Sequence, residues 1–230
     1  MDIRRMKVWM LDTPFDDQPP LAPDDTKPDC LCLPVTGCQN LSERVSTLRT
    51  LLPALPVFLI CDPISEAYNV SAFTAAASAA PDGIILRGVE HAARIQMAET
   101  LLRVVEARNG LDEGSIALIA MIGDNAGGLL NAGQFSHRLE RLIALGYDAF
   151  TLDGQRNGDD KASDSMRYGA VATMLAARRL GIPAIDFTGS TVEASLYESD
   201  CERAARSGFA GKLAAHPAHI GMIKQAFGNA

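Results

Sequence analysis

The sequence predicts an α/β fold, a (β/α)8 TIM barrel spanning residues 1–230 as one domain. Three observations carry that expectation. Eight short apolar runs recur along the chain, each hydrophobic almost without interruption, as in strands covered on both faces of a parallel sheet. Amphipathic stretches separate most of them. With 230 residues, 47% of them hydrophobic, the chain is large enough to close one sizeable core. A doubly wound open sheet is the alternative that the same alternation allows.

In chain order the runs are KVWML (7–11), CLCLP (30–34), VFLIC (57–61), GIILR (83–87), IALIAMI (116–122), AFTL (149–152), PAID (183–186) and GKLAA (211–215). The first crossover, DTPFDDQPPLAPDDTKPD (12–29), is rich in Pro and Asp and predicts an irregular loop in place of the first helix. LSERVSTLRTLL then sets Leu41, Val45, Leu48 and Leu52 on one stripe, and VEHAARIQMAETLLRVVEA reads as a long helix. HRLERLIALG and RYGAVATMLAARRLG each stop at a glycine, Gly146 and Gly181, as a helix C-terminus commonly does, and VEASLYESDCERAARSG stops at Gly208.

Composition narrows the partners. The net charge is −7 and the pI about 5.1, and no Lys/Arg cluster forms a phosphate-tracking stripe, which argues against nucleic acid. No run approaches a membrane span and the N-terminus lacks an apolar leader, so a cytoplasmic protein is expected. The five cysteines are odd in number and contain no CxxC pair. Cys30 and Cys32 lie inside an apolar run and read as small hydrophobes rather than as metal ligands.

In such a barrel the active site forms at the C-terminal ends of the strands. Asp12, Asp62, Asp124, Asp153 and Asp186 fall there, with Arg87 ending the fourth run and His216 following the eighth. Converging carboxylates repel unless a cation, a proton or an arginine compensates, which points to a hard divalent metal or to acid–base work. Asp is also a common helix cap, and each of these residues has that structural reading. His91 and His137 read as solvated residues on helix faces, and no GxSxG, GxGxxG or P-loop is present.

GFAGKLAAHPAHIGMIKQAF (208–227) resembles the closing motif of the citrate lyase β-subunit-like (CitE-like) branch of the HpcH/HpaI aldolase superfamily. LAARRLGIPAID (175–186), PDGIILRGVEHAARI (81–95) and MIGDNAGGLLNA (121–132) resemble further segments of it, collinear from about residue 81 to 227. The resemblance implies a barrel that assembles into a trimer or hexamer. It also implies Mg²⁺-assisted making or breaking of a carbon–carbon bond in a small carboxylic acid or its acyl-CoA thioester.

Carried over by position, the metal-binding glutamate after the fifth strand matches Asp124, one methylene shorter. The Gly-Ala-Glu-Asp segment after the sixth matches DGQR, where Gln155 and Arg156 replace the acids and leave Asp153, Asp159 or Asp160 as the second ligand. The Arg-x-Asn after the third strand is replaced by LICDP, the acidic segment after the second by PVTG, and the Lys-x-Glu after the fourth by Gly88 and Glu90. Longer relatives continue into a lid, for which no sequence follows Ala230 here.

The expected function is therefore a divergent carbon–carbon lyase with a rebuilt metal site. Asp124 and Asp153 are the expected Mg²⁺ ligands, Arg87 or Arg156 the carboxylate anchor, and His216 a supporting polar group. An alternative pairs the Arg156 guanidinium with Asp124 in the space of the metal. Another is a non-catalytic relative that serves as a ligand-binding, regulatory or structural subunit.

Overall fold

The structure is a computed structural model that describes residues 2–12, 27–64, 67–135, 139–154, 163–189 and 194–228. Eight parallel strands close into a barrel in sequence order: β1 (Val8–Leu11), β2 (Cys30–Pro34), β3 (Val57–Cys61), β4 (Gly83–Leu86), β5 (Ala117–Gly123), β6 (Leu142–Tyr147), β7 (Ala184–Asp186) and β8 (Gly211–Ala214). β1 pairs with both β2 and β8, so no edge strand remains. The helices are α1 (Leu41–Leu51), α2 (Ala67–Ser78), α3 (Ala92–Asn109), α4 (Ala126–Leu130), α5 (Ala149–Asp153), α6 (Asp164–Leu180), α7 (Ala194–Ser207) and α8 (His219–Gly228). The Pro-rich stretch that falls within 13–26 lies outside the described residues.

The period of two along each strand sorts side chains into two cores. Trp9, Cys30, Cys32, Phe58, Ile85, Ile119, Met121, Ile185 and Leu213 fill the barrel interior. There the Trp9 ring meets Phe58 at 5.0 Å and Phe187 at 5.6 Å. The alternate positions, such as Val8, Leu31, Leu59, Ile84 and Leu118, pack outward beneath the helices. Cys30 and Cys32 are fully buried members of the interior layer.

One element differs from the sequence reading in a way that matters for the site. The stretch 137–146 reads as a helix and 149–152 as the sixth strand, whereas β6 is Leu142–Tyr147 and 149–153 is the short helix α5. Leu142, Ala144 and Leu145 are spaced to suit either period, and burial on both faces settles the strand. At its start Arg141 is locked by a bidentate pair to Glu106, with both contacts at 2.6 Å. The strand therefore ends at Tyr147, and Asp148 follows it, five residues before the expected Asp153.

Candidate active site

The mouth is built where β3 to β6 end. Gly123 and Tyr147 are register partners, so Asp124 and Asp148 leave adjacent strands at the same level. Asp124 is 4% exposed. Its Oδ2 accepts from the Gly88 amide at 2.9 Å and its Oδ1 from Asn125 Nδ2 at 2.8 Å. Gly88 holds φ +60°, a left-handed conformation that turns its N–H toward that carboxylate. Asp124 does not cap the following helix: Asn125 does, accepting from the Gly128 amide at 2.7 Å.

Asp148 caps α5, with Oδ1 accepting from the amides of Phe150 and Thr151. Its Oδ2 accepts from Thr151 Oγ1 at 2.7 Å, and Thr151 Oγ1 accepts in turn from Arg87 at 3.1 Å. Arg87, Thr151 and Asp148 thus form one connected chain across β4 and β6. Burial pushes the Asp124 carboxyl above the usual carboxylate range. The bonds from Gly88 and Asn125 and the Arg87 charge pull it down without cancelling that rise, and the Asp148 charge adds to it.

A cavity of about 460 Å³ opens here, lined among others by Asp62, Arg87, Glu90, Arg94, Asp124 and Thr151. Arg94, from the first turn of α3, is held by a 2.8 Å bond to the Ile64 carbonyl. Asp62, just past β3, accepts from Thr36 Oγ1 at 2.6 Å. The cavity therefore offers two guanidiniums facing a buried carboxylate, a setting for a small anion that carries or shares a cation.

The other sequence candidates lie elsewhere. Asp153 accepts from Ser163 at 3.0 Å and Ser165 at 2.6 Å, tying α5 to the start of α6. Arg156, Asp159 and Asp160 lie outside the described residues, as does His137. His216 closes its own turn, its Nδ1 accepting from the Ala218 amide at 3.1 Å. Its ring lies 6.1 Å from that of His219, which stacks on Tyr197 at 3.8 Å. His91 precedes α3 and bonds Asn131 at 3.1 Å. Asp12 pairs with Arg44 of α1 at 2.7 Å.

Asp186, expected at the mouth, belongs to the outer layer. It follows the inward-facing Ile185, so its side chain is directed under the helices. There the fully buried Lys212 Nζ donates to Asp186 Oδ2 at 2.9 Å and contacts Asp200 of α7 at 2.7 Å. Burial works against the Lys212 charge, but Asp186 and Asp200 outweigh it and hold the ammonium above its ordinary range.

The sequence reading missed three contributors: Asp148, Thr151 and Arg94. Asp148 was legible as the first acid after LIALGY. Arg94 lies seven positions after Arg87, in the first turn of α3 and away from any strand end.

Among the described residues no group of three or more His, Cys, Asp and Glu side chains gathers as a metal site. Mg²⁺ does not require one, since it is commonly held by one or two carboxylates with water and substrate completing its shell. Asp124 and Asp148 fit that pattern. Both oxygens of Asp124 and Oδ2 of Asp148 each accept one hydrogen bond and keep acceptor capacity, and a divalent cation would offset both the burial that chiefly raises Asp124 and the smaller repulsion from Asp148.

No protein-family model matches the chain, and no curated sequence relative matches it. Solved structures do match. Malate synthase from Haloferax volcanii, in a pyruvate/acetyl-CoA ternary complex, superposes with a TM-score of 0.81 at 16% identity, covering 98% of this chain and 70% of that one. RipC from Yersinia pestis gives 0.69 at 20% identity over 98% and 96%. CitE from Mycobacterium tuberculosis, in complex with magnesium and acetate, gives 0.68 at 16% identity over 100% and 94%. At these identities the likeness is one of fold: the closed (β/α)8 barrel is shared with CitE and RipC.

Proposed function

We propose that the protein is a carbon–carbon lyase of the CitE type, acting on a small carboxylic acid or its acyl-CoA thioester at the mouth between β3 and β6. The observation that carries this reading is the pair Asp124 and Asp148 at the ends of adjacent strands, beside a cavity furnished with Arg87 and Arg94. In this reading Asp148 takes the place expected for Asp153, because β6 ends five residues earlier than the sequence pattern indicates.

Asp124 and Asp148 would hold Mg²⁺, which when bound supplies Lewis-acid stabilisation of the enolate that such chemistry forms. The protein's own groups do the rest. Gly88 and Asn125 fix both oxygens of Asp124, so the carboxylate is oriented before anything binds. Thr151 links Arg87 to Asp148 and sets the guanidinium at the rim. Arg94, anchored on Ile64, supplies a second cation toward the same space. Together they replace the arginine that the family carries after the third strand, where Asp62 now stands. A substrate carboxylate would be gripped from β4 and α3 rather than from β3.

The same residues support the non-catalytic reading through one observation. Asp62 puts a carboxylate where a carboxylate substrate would be clamped, and a ligand-binding subunit tolerates that better than an enzyme does.

The two readings separate in a turnover assay with Mg²⁺ and a panel of β-hydroxyacyl-CoA thioesters bearing a second carboxylate. Release of a 2-oxo acid or aldehyde, lost in Asp124→Ala and Asp148→Ala, supports the lyase. Binding of the same thioesters without turnover supports the ligand-binding subunit. No helix among the described residues is long and apolar enough to cross a membrane.

A further inference from the structure

Helix α6 carries a face that the barrel leaves uncovered. Gly169, Ala170, Thr173, Ala176, Ala177 and Leu180 are buried against the strands and the neighbouring helices. On the other side Tyr168, Val171 and Leu175 are 58%, 51% and 58% exposed. Their spacing is that of a helix-pairing seam, and the alternation of four and three residues extends it to Asp164 at the first turn and Arg178 at the last.

We propose that this face is a two-fold contact between two copies of the chain. The seam is self-complementary. With two α6 helices antiparallel about an axis through Val171, Tyr168 of one copy meets the partner's Leu175, and Asp164 meets the partner's Arg178. An acid at one end and a base at the other suit such an isologous pair and suit no parallel arrangement. Both charges are available for it. Among the described residues the fully exposed Asp164 pairs with Arg167 alone, at 3.7 Å, and Arg178, also exposed, has no carboxylate partner. The three exposed apolar side chains present on the order of 300 Å², the centre of a patch that needs about 800 Å² per partner with its polar rim.

The test is the mass of the assembly by sedimentation or light scattering at about 100 µM protomer. The wild type is expected at an even multiple of the chain mass, and Val171→Asp, which sets two like charges on the axis, halves that mass. Asp164→Arg alone and Arg178→Asp alone each weaken the association by about tenfold or more, and the double swap restores it. Unchanged circular dichroism and melting show that the variants fold. A monomeric wild type, a mass unmoved by Val171→Asp, or a double swap no better than the single ones would overturn the proposal.

Discussion

Replacing Lys212 by methionine tests the division between the outer layer and the mouth. The side chain is fully buried, as is Asp186, and its ammonium contacts both Asp186 and Asp200. Methionine keeps most of the volume and removes the charge. Asp186 would retain its 2.9 Å bond from the Thr188 amide but would be left as a buried carboxylate without its cation. Stripping one partner from a buried pair costs about 3–5 kcal/mol. For a barrel of this size that lowers the melting temperature by about 6–20 °C.

The assay is thermal unfolding of Lys212→Met, Asp186→Asn and the double variant. The double variant should recover about 1–3 kcal/mol relative to the sum of the single losses, because each charge is costly mainly in the absence of the other. Ligand or metal binding at the mouth should be unaffected by Asp186→Asn. A shift below about 2 °C for Lys212→Met, or additive losses, would refute the claim that this pair is a structural tie.

Other consequences are open to direct measurement. Asp124→Asn should change melting little, since relief of a buried charge offsets loss of the bond from Asn125, which an amide NH2 cannot accept, while the oxygen that Gly88 bonds is kept, yet it should abolish Mg²⁺ binding. Gly128→Ala should lower stability by about 1–3 kcal/mol in chemical denaturation, because the new Cβ would sit 2.5 Å from the Ile122 carbonyl and 2.6 Å from that of Val89. Arg94→Ala should weaken binding of a small dicarboxylate about 10- to 100-fold by calorimetry while leaving melting nearly unchanged.

Acid should destabilise the fold in a defined window. Burial pushes Glu106 up, but its bonds from Arg141, Gly114 and Ile116 leave it below its ordinary 4.5. Burial likewise pushes Asp200 up, while Lys212 and Arg203 leave it below 3.8. Carboxyls that hold protons more weakly when folded contribute stability above those values and lose it as the pH falls through them. Melting temperature should therefore drop steeply below about pH 4.5, and less steeply in Glu106→Gln.

Much of the fold was legible because burial on both faces writes a strand as a continuous apolar run, and seven of the eight runs sit on observed strands. The sixth failed for a physical reason. LIALG satisfies a helical stripe as well as a strand, and Gly146 resembles a helix stop although it lies inside β6. That slip moved the strand end and hid Asp148. Asp186 shows the reverse problem: it ends a strand, as an active-site acid would, but the alternation from Ile185 directs it outward to Lys212. Asp124 was placed by sequence, whereas its partners Gly88 and Asn125 emerged only from the turn geometry. Arg94 and Thr151 sit on helices, where nothing in strand-end reasoning looks for them.

The central claim is that Asp124 and Asp148 form a two-carboxylate metal site, and calorimetric titration of Mg²⁺ and Mn²⁺ into metal-stripped protein, with and without oxaloacetate, tests it most directly. A two-carboxylate site predicts a single binding event that oxaloacetate strengthens, that disappears in Asp124→Ala and Asp148→Ala, and that survives in Asp153→Ala. Absence of binding in the wild type under both conditions, or binding that persists in both Asp124→Ala and Asp148→Ala, would contradict it.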